Sequence, residues 1–176
     1  MELITKITDA DVGEKVYELN NPTTRKAART ILINDSGEIA LLHKTKKNEY
    51  KLIGGGIEKE ENIEQALRRE ILEESGCEVE ILNNLGYVEE YKTANNFVQT
   101  SYIYVTKVVN NTENLHLTKQ EKDEGSELCW FKPDVALKQI DESYNKLVPS
   151  EYSNLYSSKF VIKRDVAILN YYIQNK

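Results

Sequence analysis

The stretch from Tyr50 to Gly76 constrains this chain more than any other. A short apolar strand, Tyr50 to Ile53, runs directly into Gly54-Gly55-Gly56, and a helix follows from Glu60 to Ser75. Ile63, Leu67 and Ile71 recur every four residues and so share one face of that helix. Gly76 stands where a left-handed C-cap ends it. An apolar stripe of this kind has to be covered by another layer.

The rest of the chain supplies that layer. Residues 27–33 read as a strand, Asn34-Asp35-Ser36-Gly37 as a turn, and Glu38 to His43 as a second strand, so the pair is expected to form a hairpin. Glu78 to Leu82, Gly86 to Tyr91, Phe97 to Val109 and Glu127 to Phe131 also read as strands. Period-two alternation is clearest where Tyr102, Tyr104 and Thr106 interleave with Ser101, Ile103 and Val105. Pro133 opens a helix reaching about Leu147, with Val135, Ala136, Gln139 and Ile140 on its apolar side. A last helix runs from about Lys159 to Gln174, with Val161, Ile162, Val166, Leu169 and Ile173 inward. Strands, one helix, more strands and then helices make an α+β or layered α/β/α domain and not a regular βαβ repeat. At 176 residues a single domain, 1–176, is expected, with a helical part from about 133 to 176.

Composition sets limits on function. With 40% hydrophobic and 30% charged residues the chain reads as globular. Its net charge of -6 gives no general attraction to a nucleic acid backbone, so long DNA or RNA is not an expected partner. The same charge repels a polyphosphate unless a cation intervenes. Cys77 and Cys129 lack zinc-site spacing and read as free thiols of a cytoplasmic protein. No leader and no membrane span stand out.

The chemistry concentrates on the helix after the glycines. Glu70, Glu73 and Glu74 stand three and four residues apart, on one face. Arg68 and Arg69 fall elsewhere on the helical wheel, while Ile63 and Ala66 share the carboxylate arc and turn it toward the protein body. Crowded carboxylates without a basic partner suit a hard divalent cation, Mg²⁺ or Mn²⁺, which would also bridge an acidic protein to an anionic phosphate. The glycines let backbone approach a phosphate or metal closely. Taken singly, each feature is more often plain surface; the combined spacing changes that.

That spacing resembles the Nudix box, G-x5-E-x7-R-E-U-x-E-E-x-G-U, where U is apolar. Gly55 is followed after five residues by Glu61, and after seven more by Arg69-Glu70; Ile71, Leu72, Glu73-Glu74, Ser75, Gly76 and Cys77 complete it. Every fixed position matches over residues 55–77, with Cys77 the loosest fit. The resemblance implies a Nudix-type α/β/α sandwich with a mixed sheet, here with two C-terminal helices. It implies a metal-dependent hydrolase in which Glu70, Glu73 and Glu74 bind the metal. Arg69 would pair with Glu61 and orient that face, Gly55 would give a backbone ligand, and Glu58 would help bind metal or water. The sequence departs from the family pattern at Ile53, where a Pro is frequent, and at Glu60, where many members carry Gly.

The implied reaction is attack of water on a phosphoanhydride of a nucleoside diphosphate-X compound, with a nucleoside triphosphate the first expectation. A nucleotide sugar or a dinucleotide polyphosphate comes close behind it. The general base is expected at Glu70 in the helix, or at Glu121 or Glu124 in the charged loop Thr118 to Glu124. Arg25, Lys26 and Arg29 could meet phosphate, although a solvated strand edge is the more ordinary reading of them. Tyr50, Tyr87, Tyr91 or Tyr102 could stack on a base, although ordinary core packing explains most tyrosines. Tyr171-Tyr172 suits either core or a homodimer contact. The rival reading is an inactive Nudix-fold nucleotide sensor, which the complete glutamate set opposes. A Nudix-fold isomerase finds no support in the two cysteines.

Overall fold

The computed structural model describes residues 1–176. Seven strands form one mixed sheet: β1 (Leu3–Thr8), β2 (Thr23–Ile33), β3 (Ile39–Lys44), β4 (Glu49–Gly56), β5 (Cys77–Lys92), β6 (Phe97–Asn111) and β7 (Ser126–Phe131). Their spatial order is β1-β5-β6-β2-β4-β3-β7, with β1–β5 and β2–β6 parallel and the other pairs antiparallel. The helices are α1 (Ile63–Ser75), α2 (Lys119–Asp123), α3 (Pro133–Ser143) and α4 (Leu155–Gln174).

The alternation along the central strands explains the layers. Ala28 and Leu32 of β2, Ala40 and Leu42 of β3, and Ile53 of β4 share a cluster with Ala66, Leu67 and Ile71 of α1. Their neighbours Ile31, Ile39, Leu41 and Leu52 share another with Ala136 and Ile140 of α3 and Phe160, Ile162, Ile168 and Leu169 of α4. Successive strand side chains point to opposite faces, so one strand feeds two cores. Each fully buried Leu or Ile contributes about 1.5–3 kcal/mol. The result is the expected α/β/α sandwich, with α1 on one face and α3 and α4 on the other. No helix is long and apolar enough to cross a membrane.

Several local expectations change. The hairpin of β2 and β3 survives only at its closing pair, Ile33 and Ile39, because β4 inserts between the two strands. The turn itself forms as read: Asn34 Oδ1 accepts from the amides of Ser36 and Glu38. The two strands read at 78–82 and 86–91 are one strand, β5, whose shifts at Ile81/Asn83 and Asn84/Gly86 absorb the polar break. The N-terminal segment supplies an edge strand, β1, that its mixed polarity hides. Helix α1 starts at Ile63, because Asn62 caps it by accepting from the Gln65 amide.

The C-terminal helices also shift. α3 ends at Ser143 in a 3-10 turn, and Val135 is exposed where Ala136, Ile140 and Ser143 are buried. α4 begins four residues early, at Leu155, capped by Asn154. Its inward face carries Phe160 and Ile168 beside Ile162 and Leu169; Val161 and Val166 are half-buried and Ile173 is exposed. Tyr172 belongs to the core beneath α4.

Candidate active site

The site forms where β4 leaves the sheet and α1 crosses above it. β4 lies antiparallel to β2, with Gly54, Gly55 and Gly56 opposite Arg29, Ala28 and Ala27. Two of these glycines are required. At Gly54, φ is +131°, and a Cβ there would fall 2.3 Å from the Ala28 carbonyl oxygen. At Gly55 the backbone is ordinary, but a Cβ would lie 2.5 Å from the carboxylate of Glu70. The missing side chain is therefore the space in which the Glu70 carboxylate rests.

Arg69 holds the acidic face together. Its Nε donates to Glu61 Oε1 at 2.6 Å and its Nη2 to Glu61 Oε2 at 2.9 Å, a two-point pairing that fixes the guanidinium plane. Nη2 also donates to the Gly56 carbonyl at 3.0 Å, tying α1 to the glycine turn. Nη1 reaches Glu70 at 2.8 Å and Glu73 at 3.2 Å. Arg69 thus curls into the carboxylate arc from which the helical wheel had excluded it. The wheel fixes where a Cβ points, while the flexible stem decides where a guanidinium ends. The hydrogen bonds that Glu61 accepts from Arg69 are the main cause that raises the Arg69 pKa and lowers that of Glu61 to about 2.

Glu74 lies deeper and has a basic partner that the spacing did not reveal. It is 2% exposed; Lys51 Nζ donates to Oε1 at 2.6 Å and the Gly54 amide to Oε2 at 2.8 Å. Burial pushes the Glu74 carboxyl up, with Lys51 pulling against it. A charged residue in the apolar run Tyr50-Lys51-Leu52-Ile53 was the sequence signal for this pair.

The two loop candidates for the base separate. Glu121 faces the site from α2. Its Oε2 accepts from the Thr118 amide at 2.7 Å as part of the capping box of that short helix. Burial acts to raise the Glu121 carboxyl, but the Thr118 amide and hydroxyl and Lys51 hold it below its ordinary value. Glu124 does not line the site. It is buried against Lys44 Nζ at 2.7 Å and Ser150 Oγ at 2.6 Å, which occupies both oxygens.

Lys51, the three glycines, Arg69, Glu70, Glu73, Glu74 and Glu121 share the wall of a cleft of about 580 Å³. Glu58, exposed on the loop before α1, stands at its rim. Arg25 and Arg29 enter it from β2. Arg29 stands where β2 is flanked by both β4 and β6, whereas Arg25 and Lys26 stand in its exposed first stretch, paired to β6 alone as a solvated strand edge, and Lys26 does not line the cleft. Arg29 is buried and donates to the Gly54 carbonyl at 2.9 Å. The opposite wall comes from α4, through Ser157, Ser158, Val161 and Arg164. Asp165 anchors that helix by accepting from the Leu52 amide at 2.8 Å, and Arg164 beside it pairs with Asp165 at 2.7 Å and Glu90 at 3.2 Å. The charged pair Arg164-Asp165 on the inward side of an otherwise apolar helix was the sequence trace of this wall. The tyrosines considered for stacking lie elsewhere: Tyr50 stacks on His43 at 4.0 Å, and Tyr87 meets Tyr102 at 6.5 Å.

A model of the NUDIX domain matches residues 23–150, which span β2 through β7, α3 and the turn that follows it. The chain belongs to the NUDIX family. Solved structures of similar shape agree on the fold. The MutT protein from Methanosarcina mazei Go1 is 18% identical with a TM-score of 0.54, covering 89% of this chain and 99% of its own. A NUDIX hydrolase from Nitrosomonas europaea is 20% identical with a TM-score of 0.52, covering 75% and 97%. The MutT NUDIX hydrolase from Burkholderia pseudomallei has the same identity and TM-score and covers 80% and 97%. Among curated proteins, none matches this sequence significantly. The NUDIX match stops at residue 150, so α4 and its share of the cleft wall lie outside it.

Proposed function

We propose that this NUDIX-family chain is a metal-dependent hydrolase of a phosphoanhydride bond in a small diphosphate compound. The observation that carries the proposal is the Glu61–Arg69–Glu70/Glu73 array packed against Gly55, inside a cleft that also presents Arg25 and Arg29. An acidic face and a basic face across one cleft suit a substrate that is itself anionic and brings a divalent cation.

The donor set fits Mg²⁺ or Mn²⁺. Glu70 and Glu73 each have one oxygen bonded to Arg69 and one without a protein hydrogen bond. Hard cations favour such carboxylate oxygens. These two would hold the ion, with Glu74, the Gly55 carbonyl and Glu58 as further ligands. Glu74 would use the lone pairs that Lys51 and the Gly54 amide leave. When bound, the ion neutralises charge that develops on the leaving phosphate and acidifies a bound water. The remaining work belongs to the protein. Arg69 orients Glu70 and Glu73, while Arg25 binds phosphate oxygens. Glu70 or Glu121 accepts the proton of the attacking water, in keeping with the carboxylate general bases of such reactions. A nucleoside triphosphate, the substrate class expected from the sequence, is the first compound to test.

Phosphate and pyrophosphate release should be measured over a panel of nucleotides and other diphosphates, with Mg²⁺, with Mn²⁺ and with EDTA. Turnover that needs the metal, and that falls by about 10²–10⁴ in Glu70→Gln, is the expected result. Tight binding of a panel member with no hydrolysis in any metal would replace this reading with that of a nucleotide sensor.

A further inference from the structure

The cleft is built for a ligand more polar than a nucleoside. Of its 22 lining residues only Val161 is apolar, and none is aromatic. Sites that grip a planar base do so with aromatic and apolar walls, adding a few polar groups for orientation. Here the wall away from the glycine turn offers hydroxyls and amides, from Thr118, Gln120, Ser153 and Ser157.

Two buried guanidiniums on this wall are incompletely satisfied. Arg164 is 1% exposed and Arg29 7%, and both line the cleft. Arg164 Nη2 and Arg29 Nε have no hydrogen-bond partner in the protein. Buried donors are rarely left in that state, because the lost hydration is not replaced. Charge tells the same story. Burial lowers the Arg29 pKa to about 10, and the neighbouring Arg164 pushes it the same way. Arg29, Arg164 and Lys92 gather around the buried acids Glu90 and Asp165, and the one further acid that acts on Arg29, Glu74, is already paired with Lys51. Both guanidiniums line the cleft, so an anion bound there would meet two positive charges and balance the group. Arg29 also donates to the Gly54 carbonyl, so this position adjoins the glycine turn.

Building on the hydrolase reading above, we infer that Arg29 and Arg164 form a second phosphate subsite. The substrate is then a non-aromatic polyol that carries a further phosphate besides its diphosphate. Its hydroxyls meet the serine, threonine and glutamine side chains, and no base needs a stacking partner.

The test uses the intact chain with Mg²⁺. Initial rates on 5-phosphoribosyl 1-diphosphate and a diphosphoinositol pentakisphosphate are compared with those on dGTP, ATP, ADP-ribose and UDP-glucose. The expected kcat/KM favours a phosphorylated polyol at least about tenfold, the scale of one well-made polar contact. In Arg164→Lys and Arg29→Lys that ratio shrinks, because lysine keeps the charge and loses the planar fork. Inositol hexakisphosphate, which has no bond to cleave, should compete with the wild-type substrate, and this arm requires no variant. Nucleotides favoured over both polyols would overturn the inference and leave the hydrolase reading standing. A preference unchanged in both folded variants would overturn the subsite. If no compound turns over, the hydrolase reading fails. Calorimetric titration of the wild type in EDTA then decides the subsite alone: 5-phosphoribosyl 1-diphosphate binding more tightly than ADP-ribose supports it, and the reverse order or no binding overturns it.

Discussion

Replacing Lys51 by Met should cost this protein far more stability than a surface charge change. Lys51 Nζ sits 2.6 Å from Glu74 Oε1, with the two side chains 11% and 2% exposed. Methionine fills much the same volume but carries no charge, so Glu74 keeps only the Gly54 amide as a donor. Breaking a buried ion pair from one side costs about 3–5 kcal/mol, since the remaining charge stays desolvated. In a chain of this size each kcal/mol moves the melting temperature by about 2–4 °C, so a drop of about 6–20 °C is expected in EDTA. Divalent metal offers Glu74 a new counter-charge. Millimolar Mg²⁺ should therefore restore more stability to the variant than it adds to the wild type, by linkage of binding to folding. Thermal melts followed by circular dichroism, with EDTA and with Mg²⁺, read both effects. A variant that melts within about 2 °C of the wild type in EDTA would refute the reasoning, because a 3 kcal/mol loss cannot hide in so small a shift.

Gly55→Ala should fold nearly as well as the wild type, since the backbone there is ordinary and only the Glu70 carboxylate, 2.5 Å from the new Cβ, has to move. Activity should fall at least about tenfold while the melting temperature changes little, the scale on which small misplacements at a reacting centre are felt; parallel melting and rate assays check this. Glu90 is 0% exposed, and its carboxyl, which burial alone would raise, is lowered to about 2 by Arg164, Lys92 and Arg29. A folded value below the unfolded one stabilises above the unfolded pKa, so this contribution, about 3 kcal/mol, is complete above about pH 4.5 and lost as pH falls toward 2. Denaturant titrations between pH 6 and 3 should show a shallower acid loss in Glu90→Gln than in the wild type, and equal slopes would exclude the assignment.

The parts legible in the sequence were those written in short-range patterns. The α1 stripe of Leu67 and Ile71, the Gly76 cap and the spacing from Gly55 to Cys77 depend on neighbours within a turn or two, and the structure contains each. Boundaries shifted where a cap such as Asn62 or Asn154 decided the start. β1 was missed because an edge strand with mixed polarity owes its existence to its partner β5, which lies some eighty residues away.

The sequence by itself therefore determined the acidic helix, the turn that approaches it and the family to which the chain belongs, since local spacing specifies local geometry. Tertiary structure alone decided which charges meet. It inserted β4 beside β2, which put Lys51 under Glu74 and Arg29 beside the glycines. It also folded α4 across the cleft, which set Arg164 near Arg29. Coulomb forces depend on distance in space, and no period along the chain records the distance between residues 29 and 164.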